Sequence, residues 1–156
     1  MARKKVVFFG WALVCLICGA ASADTVVEKG MVRFVVGDAR GAHVEFLIKP
    51  RFNSRHVVSF KIRRIGRPGS RLALRVDRAD TPIYEAILTR DQCSQGNGMS
   101  VCSVTVPGHG AQADAIIKAF TSGRLVHVDV EDGDAKVMSD SASLTGFMAA
   151  FRQAMQ

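Results

Sequence analysis

Alternation of apolar and polar positions with a period of two runs through most of the chain from position 31 to position 138. The strictest case is the segment 71–77, in which Leu72, Leu74 and Val76 alternate with Arg, Ala and Asp. Such alternation predicts a strand with one face in a core and the other in water. On the same grounds, further strands are predicted at 31–36, 42–48, 57–65, 83–88, 101–106, 125–131 and 135–138.

Two short segments have helical spacing instead. Apolar residues recur at i, i+3, i+4 and i+7 over about 112–122, and a similar stripe covers about 144–155, with Ser143 as a candidate N-cap. Both stripes are expected to face the core. Short strands at close spacing, with only these short helices, predict a mostly β protein with an antiparallel β-sandwich-like fold.

The start of the chain has the pattern of a secretory signal peptide. A few basic residues precede an uncharged apolar run from Val6 to Ala21, and small residues precede Asp24. The run is shorter than the ~20 residues that span a bilayer. We therefore expect residues 1–23 to be removed and residues 24–156 to form a single exported β-rich domain without a transmembrane segment. An uncleaved membrane anchor is the alternative.

Removal of this leader leaves two of the four cysteines, Cys93 and Cys102. An even pair in an exported chain predicts a disulfide bond. The residues between them, SQGNGMSV, are polar and glycine-rich, so we expect a closed surface loop. The spacing fits neither a CxxC redox motif nor a cysteine metal site.

Positive charge is concentrated in one segment. Of the 21 Lys and Arg residues, three lie in the leader, which leaves 18 against 14 Asp and Glu. The excess lies mainly in KIRRIGRPGSRLALRVDR, which contributes two consecutive predicted strands separated by a Pro-Gly turn. An exported chain with few aromatic residues is not expected to bind nucleic acid.

A hairpin of these two strands would oppose like charges. Any register that keeps the apolar faces together sets Lys61 or Arg63 opposite Arg75. Because directly opposed like charges are destabilising, we expect the cations of this face to bind an anionic partner. These cations are Lys61, Arg63, Arg71 and Arg75. A solvated basic face without a partner is the alternative.

Signals for catalysis or metal binding are weak. No two histidines have the local spacing of a zinc pair. The acidic segment 131–134 lacks the register of a calcium loop and favours a hairpin turn. No nucleophile elbow is present, and no metal or cofactor is expected. If the protein were a hydrolase with a dispersed site, His109 and His127 would be its candidate bases.

The order of motifs from about Ile62 to the C-terminus resembles the invasion-associated locus B family of exported bacterial proteins. The matching segments are IGRPGSRLALRVD, TPIYEAI, the Cys93 and Cys102 pair, a helix that ends KAFTSG, the strand RLVHVDVED, and the terminal SASLTGFMAAFRQAM. The resemblance covers roughly residues 62–156.

This resemblance implies an envelope protein with a β-sandwich-like fold, either periplasmic or associated with the outer surface of a Gram-negative type bacterium. It implies a non-catalytic binding or accessory role, for which the family name suggests host interaction. Two alternatives stay open: a periplasmic hydrolase with a dispersed site, and a small protein inhibitor that presents the constrained 93–102 loop.

Export of the chain gives the first testable prediction. Intact-mass analysis of the protein isolated from its own host should find a chain that begins at Asp24, with Cys93 and Cys102 oxidised. Reduction should then add the mass of the thiol hydrogens, which serves as the control. A full-length species with free thiols would contradict both the leader and the disulfide.

Overall fold

The computed structural model describes residues 25–52, 55–108 and 110–156. Within these residues the chain forms ten strands and two helices. In chain order they are β1 (Val26–Glu28), β2 (Met31–Gly37), β3 (His43–Lys49), β4 (Val57–Arg63), β5 (Arg71–Val76), β6 (Tyr84–Ile87), β7 (Cys93–Gly96), β8 (Met99–Val106), α1 (Ala111–Ser122), β9 (Leu125–Asp132), β10 (Ala135–Ser143) and α2 (Phe147–Ala154). The predicted leader, 1–23, lies outside the described residues.

The strands form two antiparallel sheets. The first sheet has the order β1-β2-β3-β4-β8-β7, and the second has the order β10-β9-β5-β6. The prediction of a mostly β, sandwich-like domain with two short helices is confirmed. Every strand expected from the alternation is present, and β10 extends five residues beyond its predicted end, to Ser143.

An aromatic row on the inner face of the first sheet organises the core. The strand register aligns Phe34 with Phe46 and Phe46 with Phe60 on three neighbouring strands. The rings of Phe34 and Phe46 stack with centroids 4.4 Å apart, and Phe60 meets Phe46 edge-on at 5.2 Å. Phe120 of α1 and Phe147 of α2 pack on this row, so the apolar stripes of both helices face the core as expected.

The predicted hairpin between β4 and β5 is wrong. β4 pairs with β3 and β8 in the first sheet, whereas β5 pairs with β6 and β9 in the second. The segment 64–70 crosses between the sheets through a turn in which Ser70 N donates to Arg67 O at 3.0 Å. Alternation sets which face of a strand is buried, but it does not choose the strand's partner, and a seven-residue connection is long enough to change sheets.

The disulfide between Cys93 and Cys102 is confirmed, with Cα atoms 4.0 Å apart. The segment between the cysteines is a β-hairpin of β7 and β8 rather than an irregular loop. Its two-residue turn, Asn97-Gly98, has φ angles of 51° and 72°. Positive φ at both positions is the geometry of the type I′ turn, which Asn-Gly favours.

The second helix begins later than predicted, at Phe147 instead of residue 144. Ser143 ends β10, and its Oγ accepts a hydrogen bond from Thr145 N at 3.1 Å, so Ser143 is not the N-cap. Gly146, with φ 86°, occupies the position before the helix. The acidic segment 131–134 contains the β9–β10 hairpin turn, Gly133-Asp134, as expected.

Replacement of Phe46 by Ala should test the aromatic row. The ring contacts Phe34, Phe60 and Phe120 and is fully buried, so its loss leaves a cavity. We expect the free energy of unfolding to fall by about 3–5 kcal/mol in denaturant titrations. Phe52→Ala is the matched control, because Phe52 is 84% exposed and its removal should cost less than about 0.5 kcal/mol. Equal losses would contradict the proposed core.

Candidate functional site

The four cations predicted to bind an anion do not share one surface. Because β4 and β5 belong to different sheets, one pair lies on the outward face of the first sheet and the other on that of the second. Lys61 lies across from Glu45, and Arg63 Nη2 is 3.4 Å from Glu45 Oε2. Arg71 and Arg75 also face carboxylates, as described below. The opposed like charges on which the prediction depended are therefore absent among the described residues.

A buried carboxylate occupies the centre of the outward face of the first sheet. Glu45 is only 4% exposed, and Arg33 Nε donates to its Oε1 while Arg63 approaches Oε2. Burial by itself would raise the pKa of Glu45, but the hydrogen bonds and charges of Arg33 and then Arg63 outweigh it and lower the pKa below its usual value. Glu45 is thus ionised and holds both guanidinium groups in place.

One end of this sheet carries a basic cleft. The strand register places Gly37, His43, Arg63 and Val101 in one row, so the loops beyond them meet at the same end. A cleft of about 330 Å³ lies there. Four arginines and one histidine line it: Arg33, Arg40, His43, Arg63 and Arg64. We call this feature the basic cleft.

Arg64 follows directly on β4 and has a left-handed backbone, with φ 72°. Its N–H donates to Ser100 O at 2.8 Å, which ties the end of β4 to the start of β8 and holds this conformation. The side chains of Arg64 and Arg40 are exposed, and neither forms an ion pair within the described part of the chain. Both guanidinium groups are therefore free to meet a ligand.

His43 supports the loop that carries Arg40. Its Nδ1 lies 3.1 Å from Asp38 O and 3.0 Å from Gly41 O. Both partners are carbonyl oxygens, which only accept, so Nδ1 carries a hydrogen. The other ring nitrogen, Nε2, has no hydrogen-bond partner among the residues that the structure describes. His43 therefore positions the 38–42 loop and leaves one polar atom for the cleft.

The outward face of the second sheet is internally paired. Asp129 is buried and is held by Arg75, by Lys136 Nζ at 3.2 Å, and by Ser139 Oγ, which donates at 2.6 Å. Arg71 bonds two carboxylates, Glu85 and, at 3.2 Å, Glu131. Arg71 and Arg75 are therefore paired with carboxylates of their own sheet, and neither arginine contributes to the basic cleft.

His127 does not complete a hydrogen-bonded catalytic chain. It is half-buried and lines an open cavity of about 600 Å³ beside Asp77. Asp77 Oδ1 accepts two backbone N–H groups, from positions 124 and 125. Ser141 lies across from His127 on β10, but no hydrogen bond joins their side chains within the described residues. His109, the other candidate base, lies outside the described residues.

Among the described residues, no group of three or more His, Cys, Asp or Glu side chains is arranged to hold a metal ion. None of the helices in this part of the chain is long and apolar enough to cross a membrane. No family model matches the chain, and neither a curated protein nor a solved structure shows significant similarity to it.

Three arginines of the basic cleft, and His43, were not in the set predicted from the sequence. Arg33, Arg40 and Arg64 come from a strand, the 38–42 loop and the end of β4, which are separated along the chain. Only Arg63 is common to the predicted and the observed set. The signal in the sequence for this cleft was the pair Arg63-Arg64 near the end of a predicted strand. Arg64 interrupts the alternation of apolar and polar residues, which marks it as a residue at the end of the strand.

Glu45→Gln should test the role of the buried carboxylate. We expect the free energy of unfolding to fall by about 1–2 kcal/mol at pH 7, since a charge-assisted pair is replaced by a neutral amide. The pKa of Glu45 is lower in the native state than in the unfolded state, so this stabilisation is fully present above the unfolded pKa of about 4.3. It is lost as the pH falls through the native pKa of Glu45. The difference between wild type and variant should therefore shrink below about pH 4.

Glu85→Gln is the control for this experiment. Glu85 pairs with Arg71 on an exposed surface, so its replacement should change stability by less than about 0.5 kcal/mol. Chemical denaturation across pH 3–7 measures both variants. A Glu45→Gln effect that stays constant over this range would contradict the role assigned to the ionised carboxylate.

Proposed function

We propose that this protein is an exported bacterial envelope protein that acts as a non-catalytic binding or accessory domain, with an anionic partner held in the basic cleft. One observation carries the proposal: four guanidinium groups converge on one cleft at the end of the first sheet. Within the described residues Glu45 is the carboxylate that forms ion pairs with them, and it pairs with Arg33 and Arg63, so positive charge is in surplus. This surplus of positive charge favours the binding of an anionic ligand.

The chemistry of arginine supports binding. A guanidinium group keeps its charge at every physiological pH and presents several N–H donors in a fixed plane, which suits bidentate contacts with sulfate, phosphate or carboxylate oxygens. Glu45 occupies part of the donor set of Arg33 and Arg63 and leaves their other N–H groups for a ligand. Arg40 and Arg64 add guanidinium groups that have no ion pair in the described chain.

Export is supported by the leader pattern and by the disulfide, because disulfides persist in oxidising compartments and are rare in the cytosol. The resemblance to the invasion-associated locus B family supports an envelope location and an accessory role, including one in host interaction. Candidate partners in such an envelope are lipopolysaccharide phosphates, acidic phospholipids, acidic glycans and acidic protein surfaces.

The double variant Arg40→Gln/Arg64→Gln should test the basic cleft. We expect its dissociation constant for inorganic polyphosphate, measured by calorimetry at low ionic strength, to rise about tenfold or more. The matched control is Arg78→Gln/Arg124→Gln, which removes the same net charge from exposed positions beside His127. The control should weaken binding less than about threefold. Equal weakening by both variants would show that net charge, and not the basic cleft, binds the anion.

A further inference from the structure

A second cavity continues the basic cleft along the β7–β8 hairpin. Its volume is about 440 Å³, and it shares Arg64, Met99 and Ser100 with the basic cleft. We call it the hairpin cavity. Because they share these three lining residues, the two cavities lie next to each other, within reach of one ligand of moderate length.

The hairpin cavity has a different chemistry from the basic cleft. Apart from Arg64 its polar side chains are neutral: the amides of Gln95 and Asn97 and the hydroxyl of Ser100. None of these groups makes a side-chain hydrogen bond within the described residues. Each is able both to donate and to accept, which matches the hydroxyl groups of a sugar.

The hairpin fixes the backbone that carries these groups. The Cys93–Cys102 bond joins its two strands at one end, and the two-residue Asn97-Gly98 turn closes the other. Arg64 N–H, bonded to Ser100 O, fastens the hairpin to the end of β4. Because this backbone is ordered before a ligand arrives, less backbone entropy is lost on binding.

We infer that the ligand is an anionic saccharide, with its charged group among the arginines of the basic cleft and a sugar ring in the hairpin cavity. This inference rests on the anion-binding function proposed above. Cavities of a few hundred Å³ match small-molecule sites, whereas a protein partner needs about 800 Å² of surface on each side. An acyl chain would require an apolar lining, and among the described residues Met99 is the only large apolar side chain that lines the hairpin cavity.

Calorimetry with the purified protein and simple probes tests the inference. A sulfated disaccharide should bind about tenfold tighter than inorganic sulfate, because the sugar adds hydrogen bonds in the hairpin cavity. The unsulfated disaccharide should show no measurable binding. Phosphorylated and uronate disaccharides, run in parallel, identify which anionic group the basic cleft prefers.

Gln95→Ala separates the sugar contacts from the anion contacts, because Gln95 lines the hairpin cavity and does not line the basic cleft. This variant should weaken binding of the preferred anionic disaccharide about fivefold and leave polyphosphate binding unchanged. Ser103→Ala is the matched control on β8, since Ser103 is exposed and does not line either cavity. It should change neither affinity.

The outcomes distinguish this inference from the function on which it rests. If each charged disaccharide binds no tighter than its free anion, or if Gln95→Ala has no effect, the saccharide is overturned while anion binding stands. If vesicles of acidic phospholipid bind in an Arg64-dependent way and the disaccharides do not, the ligand is a membrane surface. If neither polyphosphate nor any charged disaccharide binds, the proposed function itself is wrong.

Discussion

The antiparallel register of β2, β3 and β4 determines both the core and the candidate site. It aligns Phe34, Phe46 and Phe60 on the inner face, where they pack against each other and against both helices. Because successive side chains point to opposite faces, the same register places Arg33 and Glu45 on the outer face. A slip of one residue would bury these charges and expose the rings, so the aromatic row also fixes the position of the basic cleft.

The strands and their faces could be predicted from sequence because both depend on local periodicity. The choice of partner strand could not, and the β4–β5 hairpin failed for that reason: a Pro-Gly turn is compatible with a hairpin and with a crossing between sheets. The Asn97-Gly98 turn was a usable signal, since Asn-Gly between short strands favours a hairpin. The basic cleft could not be predicted from the sequence, because the proximity of Arg40 and Arg64 follows from the order of strands in the sheet.

Both sheets carry a buried carboxylate on the outward face. The two carboxylates differ in where their partners lie, and the partners of Glu45 border the basic cleft. On the second sheet Asp129 is held by Arg75, Lys136 and Ser139, and these contacts lie within the sheet. On the first sheet Glu45 holds Arg33 and Arg63 at the edge of a cleft. A buried carboxylate therefore stabilises the outward face of the second sheet, whereas on the first sheet it orients hydrogen-bond donors.

Glu45 therefore has two opposing effects on an incoming anion. Its negative charge reduces the attraction of the cleft, but it also keeps two flexible arginine side chains in position, which lowers the entropy lost when they bind. The net effect depends on Arg40 and Arg64, which pair with no carboxylate in the described part of the chain and supply the surplus charge. Four guanidinium groups line this cleft, whereas two line the cavity beside His127. Charge of this density, together with donors fixed in advance, favours a ligand that presents its anionic group at one end.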